Sequence, residues 1–233
     1  MNKKKVLVVL VDRANYGRMK PVMKELKKSK NIELDVLCTG TMLLSRFGNV
    51  AKIVEEDGFK ISSKVYMEVE GSNPTTMSKS IGLGIVELSN EYHRLKPDIV
   101  LLIGDRYEAL AASIAAAYMN LTLAHIQGGE VSGSIDESCR HAISKFSHIH
   151  FPSTKRSAEY LIKMGEKKDM VHNVGCPVGD YIKSLPDNLK NKDIKGGIGS
   201  EIDLNKPYLL VIFHPVTTKF IERNDIKNVL NVL

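Results

Sequence analysis

The chain of 233 residues has no tryptophan, only six phenylalanines and eight tyrosines, and just three cysteines. The scarcity of aromatics leaves few platforms on which nucleic-acid bases could stack, so a net charge of +6 and a pI near 9.1 do not by themselves indicate a polymer ligand. The lysines are spread along the chain and interleaved with acids, which favours a small anionic ligand over nucleic acid. Cys38, Cys139 and Cys176 are scattered and in no metal-ligand spacing, so they read as reduced thiols and argue against a disulfide scaffold or a thiolate metal centre. Long hydrophobic runs are also lacking. The apolar stretches Val6-Leu7-Val8-Val9-Leu10-Val11 and Ile99-Val100-Leu101-Leu102-Ile103 are too short to span a bilayer and have the length of buried strands. The basic start Lys3-Lys4-Lys5 leads into an apolar segment that ends at Asp12-Arg13 without a small-residue cleavage site. It reads as a first strand and not a signal peptide, and a cytoplasmic location is expected.

What is present alternates. Strand-like runs at 5–11, 33–38, 60–69, 98–103, 122–125 and from 149 are separated by segments of helical period, the pattern of a doubly wound α/β domain with a parallel sheet covered on both faces. A loop is expected at 12–17, and helices around 20–26, 75–95, 108–119, through Arg140 to Ile143, and at 157–165. Residues 1–182 make the first domain on this reading, and 183–206, rich in Lys, Asn, Asp and Gly, a linker. A fresh strand at 208–213 and the start of a helix then open a second domain, 207–233. One strand and one helix cannot bury a core, so its remainder is expected to be missing.

In open α/β sheets ligands bind beyond the carboxyl ends of the strands, which points to four places. The first is Asp12-Arg13-Ala14-Asn15-Tyr16-Gly17-Arg18, where Arg13 and Arg18 at a helix start suit a phosphate or diphosphate; it is not GxGxxG, so a dinucleotide fingerprint is absent. The second is Gly104-Asp105-Arg106-Tyr107-Glu108, in which Asp105 can cap a helix and Arg106 stands at the same edge. The third, His125-Ile-Gln127-Gly-Gly-Glu130-Val-Ser-Gly-Ser-Ile-Asp136-Glu137-Ser-Cys-Arg140-His141, holds three glycines, three carboxylates, two histidines and an arginine, more than a plain strand-to-helix connection needs. Its carboxylates can exchange protons, and Arg140 lies one turn beyond Asp136, on the same side of a helix. His125 and His141 complete no metal pattern and read as buried structural histidines. The fourth is His214, directly after the 208–213 run.

Together these motifs resemble the hydrolysing UDP-N-acetylglucosamine 2-epimerases, the family that opens sialic acid and related nonulosonate pathways. The resemblance rests on Arg13-Ala14-Asn15-Tyr16, Gly104-Asp105-Arg106, His125-Ile126-Gln127-Gly128-Gly129-Glu130, Asp136 with Arg140-His141, Gly175-Cys176-Pro177 and Phe213-His214-Pro215-Val216-Thr217-Thr218. It implies a GT-B architecture of two Rossmann-like domains with UDP in the cleft, elimination of UDP from a UDP-sugar followed by hydration, no cofactor, no metal, and a homo-oligomer in the full-length form. It implies Asp105, Glu130 and Asp136 as acid/base candidates. Arg13, Arg106, Arg140 and His214 would bind or neutralise the diphosphate, with Gly17, Arg18 and Gln127 beside the substrate. Gln127 stands where many relatives carry glutamate and cannot shuttle a proton. Either it marks a branch acting on another sugar, such as a diacetamido-trideoxy hexose, or Glu130 or Asp136 does the work. A GT-B glycosyltransferase and a non-catalytic nucleotide-sugar-binding domain remain alternatives, and a chain without the second half is expected to be inactive or nearly so.

Overall fold

The computed structural model describes residues 3–185, 202–213 and 223–232, in two units, Met1–Lys183 and Ser184–Leu233. The first contains β1 (Lys4–Leu10), α1 (Arg13–Lys28), β2 (Ile32–Thr39), α2 (Val50–Glu56), β3 (Ser63–Val65), α3 (Pro74–Leu95), β4 (Ile99–Ile103), α4 (Tyr107–Tyr118), β5 (Thr122–Ile126), α5 (Ile135–Phe146), β6 (Ile149–Phe151), α6 (Lys155–Lys163) and α7 (Val178–Lys183). The strands form one parallel sheet in the order β3-β2-β1-β4-β5-β6. This is the doubly wound α/β arrangement, whose strand order reverses between β1 and β4 and opens a crevice at their carboxyl ends.

Alternate residues of β1 serve two cores, because successive side chains of a strand point to opposite faces. Leu7 and Val9 pack with Leu88 and Tyr92 of α3, Ala112 and Ala116 of α4, and Ile143 of α5. Val6, Val8 and Leu10 pack on the other face with Tyr16, Met19 and Met23 of α1 and Val50 and Val54 of α2. The alanines of α4 let α3 lie close: a Cβ on Gly84 would come within 3.1 Å of the Ala111 methyl. Among the described residues no helix is long and apolar enough to cross a membrane, and all three cysteines are free.

Three expectations are corrected. Residues 12–17 are not a loop: Asp12 caps α1 by accepting from Asn15 N at 2.6 Å, so the helix begins at Arg13 and Gly17 lies inside it. The run 60–69 contributes only Ser63–Val65, where β3 finds register on Leu37 to Thr39 of β2. In the second unit, residues 207–213 form no strand, and Leu209 and Leu210 are 82% and 78% exposed. A strand exists through its ladder, and among the described residues of that unit no second strand offers one. The unit's described helix is α8 (Arg223–Val232). Most of the linker, 186–201, lies outside the described residues.

Candidate functional site

Three connections meet at the carboxyl edge where the strand order reverses. After β1, the first two turns of α1 present Arg13 and Arg18. Arg13 is exposed, and around Gly17 nothing stands within 4 Å of where a Cβ would be. Arg18 folds back so that Nε donates to Ala14 O at 3.2 Å, while Nη1 donates to Gln127 Oε1 at 2.5 Å. Asn15, fully buried, orients its amide to donate to Ile103 O at 3.2 Å and to accept from Arg18 Nη2 at 3.1 Å. The start of α1 is thereby tied to the ends of β4 and β5.

After β4, Gly104 has φ +86° and donates to Ile126 O at 3.1 Å; a Cβ there would come within 3.3 Å of Arg18 Nη2. A left-handed residue this close to a guanidinium must be small. Asp105 does not cap α4. Arg106 occupies the cap position without a side-chain cap bond, and the Asp105 carboxylate instead accepts from Arg140 Nη2. Arg106 turns to Glu108, 2.7 Å away, and to Asp12, 3.6 Å away. Burial of its own would lower the Arg106 pKa, but Glu108 and then Asp12 hold the guanidinium above its ordinary value. Glu108 is fully buried, and burial raises its pKa against the pull of Arg106.

After β5, the chain turns through Gln127 at φ +64° and Gly129 at φ +78°. Both neighbouring glycines are sterically required. A Cβ on Gly128 would meet Ser144 Oγ at 2.6 Å, and one on Gly129 would run into the Ser157 carbonyl of α6. His125 is fully buried; its Nε2 is 2.8 Å from Gly104 O and its Nδ1 3.0 Å from Ser144 Oγ. Burial pulls its pKa down to about 4, as expected of a structural histidine. Downstream, Glu137 accepts from Ser132 N and Gly133 N and pins the loop to the first turn of α5.

The sequence-level partner of Arg140 is corrected here. Asp136 is exposed at the helix start, within 3.4 Å of Ser134 Oγ, and forms no ion pair among the described residues. Arg140 is buried and reaches across to Asp105, with Nη1 donating to Glu130 O at 2.8 Å. A buried guanidinium with a carboxylate within reach pairs with it in preference to an exposed one. Burial lowers the Arg140 pKa first, and the nearby Arg18 charge second. His141 stacks on Tyr160, with ring centroids 5.2 Å apart.

The structure thus brings Arg18, Asp105, Arg106, Gln127, Glu130 and Arg140 together at one edge, leaves Arg13 and Asp136 exposed at helix starts, and does not describe His214. Sequence reasoning missed Glu108 and Asn15 as supports. The signal for Glu108 was its place two residues after Arg106, since an acid inside an otherwise apolar helical turn needs a cation. Chemically, the edge offers one carboxylate held by a buried cation, a second arginine with donors to spare, and a glycine backbone that permits close approach.

In sequence and in fold the chain is similar to known proteins. Residues 24–233 match the model of the family described as UDP-N-acetylglucosamine 2-epimerase. The chain is 37% identical over 214 residues to the UDP-N,N'-diacetylbacillosamine 2-epimerase (hydrolyzing) of Legionella pneumophila, covering 91% of this chain and 56% of that one. It is 34% identical over 218 residues to the GDP/UDP-N,N'-diacetylbacillosamine 2-epimerase (hydrolyzing) of Campylobacter jejuni, with 93% and 56% covered. The chain therefore spans little more than half the length of these relatives. Among solved structures, the UDP-GlcNAc 2-epimerase of Neisseria meningitidis bound to UDP-GlcNAc superposes with a TM-score of 0.68 at 26% identity, over 77% of this chain and 48% of that one. A match over almost the whole chain, carried by relatives above 30% identity, leaves one conclusion: the chain belongs to the UDP-N-acetylglucosamine 2-epimerase family.

Proposed function

We propose that the protein is a hydrolysing UDP-sugar 2-epimerase, converting a UDP-2-acetamido sugar and water into UDP and the free sugar epimerised at C2. The observation that carries the reading is the junction of Asp105 with Arg140 and the Glu130 loop, in a chain related over most of its length to enzymes of that name. A base takes the C2 proton, the C–H electron pair forms a C1=C2 double bond, and the C1–O bond to UDP breaks. Water then adds, its hydroxyl to C1 and a proton to C2. The first half needs a carboxylate, the second half a proton donor, and the departing diphosphate needs cations.

Asp105, oriented by Arg140, suits the proton-handling role, with Glu130 of the same edge and Asp136 at the exposed start of α5 as the other candidate carboxylates. Arg13, Arg18 and His214 are assigned to the diphosphate, with the open backbone at Gly17 beside it. Arg106, already neutralised by Glu108 and Asp12, positions its loop and supplies little net charge. Gln127 cannot shuttle a proton, which together with the two relatives named for diacetylbacillosamine favours a 2,4-diacetamido sugar. On this reading residues 1–182 form the first of two Rossmann-like domains, 183–206 link it to the second, and 207–233 begin that domain. The protein would act in the cytoplasm as a homo-oligomer, supply nonulosonate synthesis, and be inactive without a second half.

Incubation of the complete gene product with UDP-N,N'-diacetylbacillosamine and with UDP-N-acetylglucosamine tests this. Free UDP and a free C2-epimer are expected, with the first substrate preferred. Absence of turnover with every UDP-2-acetamido hexose, or UDP release only when an acceptor sugar is added, would overturn it, the latter in favour of a glycosyltransferase.

A further inference from the structure

Arg18 and Gln127 make a pair whose charge does not balance. A guanidinium has five N–H donors. In Arg18 one goes to Ala14 O, one to Gln127 Oε1 and one to the Asn15 amide oxygen, all neutral acceptors, and two have no acceptor among the described residues. The neighbouring arginines differ: Arg106 pairs with Glu108 and Asp12, and Arg140 with Asp105. Arg18 is thus the one arginine of these three whose charge is left over for a ligand. Its field is felt inside the protein, where it helps hold the Arg140 pKa below its ordinary value after burial has lowered it.

Gln127 is held so that it keeps this state. It is 6% exposed, its N–H donates to Phe151 O at 3.0 Å, and its Nε2 donates to Cys176 Sγ at 3.2 Å, which leaves Oε1 to face Arg18. A carboxylate in the same place would accept only: it would neutralise Arg18 and have nothing to give the cysteine sulfur.

We propose that Gln127 is a positioning residue that holds Arg18 as an uncompensated cation, and that Arg18 takes the phosphate-bearing part of the ligand. The inference rests on the reading of that ligand as a UDP-sugar. Its chemistry, however, requires only a diphosphate, so inorganic pyrophosphate separates the two.

Calorimetric titration of the complete gene product with UDP, uridine and pyrophosphate tests it, using the wild type, Gln127→Glu, Arg18→Met and the double variant, with thermal unfolding as a check on folding. Gln127→Glu should weaken UDP and pyrophosphate about tenfold or more while leaving uridine unchanged, the size expected for losing one charge-assisted contact. Arg18→Met should do the same, and the double variant should bind no worse than Arg18→Met alone. Arg18→Lys, which keeps the charge in a milder change, should retain more pyrophosphate affinity than Arg18→Met. Gln127→Glu binding UDP and pyrophosphate within about twofold of wild type, or losing uridine equally, would overturn the inference. A wild type that binds pyrophosphate in a Gln127-dependent way, but neither binds nor turns over UDP-sugars, would leave this inference standing and remove the proposed function.

Discussion

At the scale of single residues, Asp105 and His125 make the sharpest claims. Asp105 is the carboxylate that buried Arg140 holds at the strand edge. Asp105→Asn in the complete gene product should lower turnover by roughly 100-fold or more, the usual weight of a general acid or base, with UDP affinity retained. Turnover within a few-fold of wild type would remove Asp105 from proton transfer and leave Glu130 and Asp136. Asp136→Asn, at an exposed helix start, reports separately whether that carboxylate shares the task.

His125 makes a claim about stability. Its folded pKa, near 4, lies below the ordinary histidine value of 6.5. Between those values the unfolded chain binds more protons, so the stabilisation is complete above about pH 6.5 and is lost as pH falls toward 4. From pH 7 to pH 5 this histidine should cost the fold about 2 kcal/mol. Urea unfolding at the two pH values reads it, and His125→Gln should flatten the dependence; an unchanged slope would show that His125 is not its source.

At the scale of elements, the site depends on close approach between segments far apart in sequence. Gly129 brings the loop after β5 against the Ser157 carbonyl of α6, leaving no room for a Cβ at a position that also has φ +78°. Gly129→Ala should therefore destabilise the first unit by roughly 1–3 kcal/mol, measured by denaturant unfolding, whereas Gly17→Ala, where nothing stands within 4 Å, should not destabilise it. Glu108 ties the start of α4 to Arg106 and packs beside Gly40 after β2. Its replacement by alanine should cost about 2–4 kcal/mol, because a partly buried guanidinium is left without its nearest carboxylate. A cost near zero would show that Asp12 alone suffices.

These elements also show what could be read beforehand. The sheet was legible because buried parallel strands are continuous apolar runs, α3 because its apolar period is clear and Pro97 marks its end, and α4 because it is an alanine-rich run of helix formers without a breaker. The start of α1 was not, since Arg13 to Arg18 carries little apolar period and the Asp12 cap decides it. The carboxyl-edge loops were recognisable by their glycines and charges. Their pairing was hidden: Asp105 and Arg140 are 35 residues apart, and local spacing pointed Arg140 at Asp136 instead. The run at 208–213 reads as a strand by composition, yet composition cannot supply the neighbour that a ladder requires.

At the scale of the whole molecule, the central claim is a reaction and not a fold. The doubly wound sheet hosts many activities, and the likeness to solved epimerases is strongest for architecture. What distinguishes elimination and hydration from simple hydrolysis is the fate of the C2 proton. The most direct measurement is the reaction of the complete gene product with a UDP-2-acetamido sugar in deuterated water, followed by NMR of the released sugar. The account predicts free UDP and a sugar inverted at C2 that carries deuterium there. A released sugar with its original C2 configuration and its original proton would contradict it.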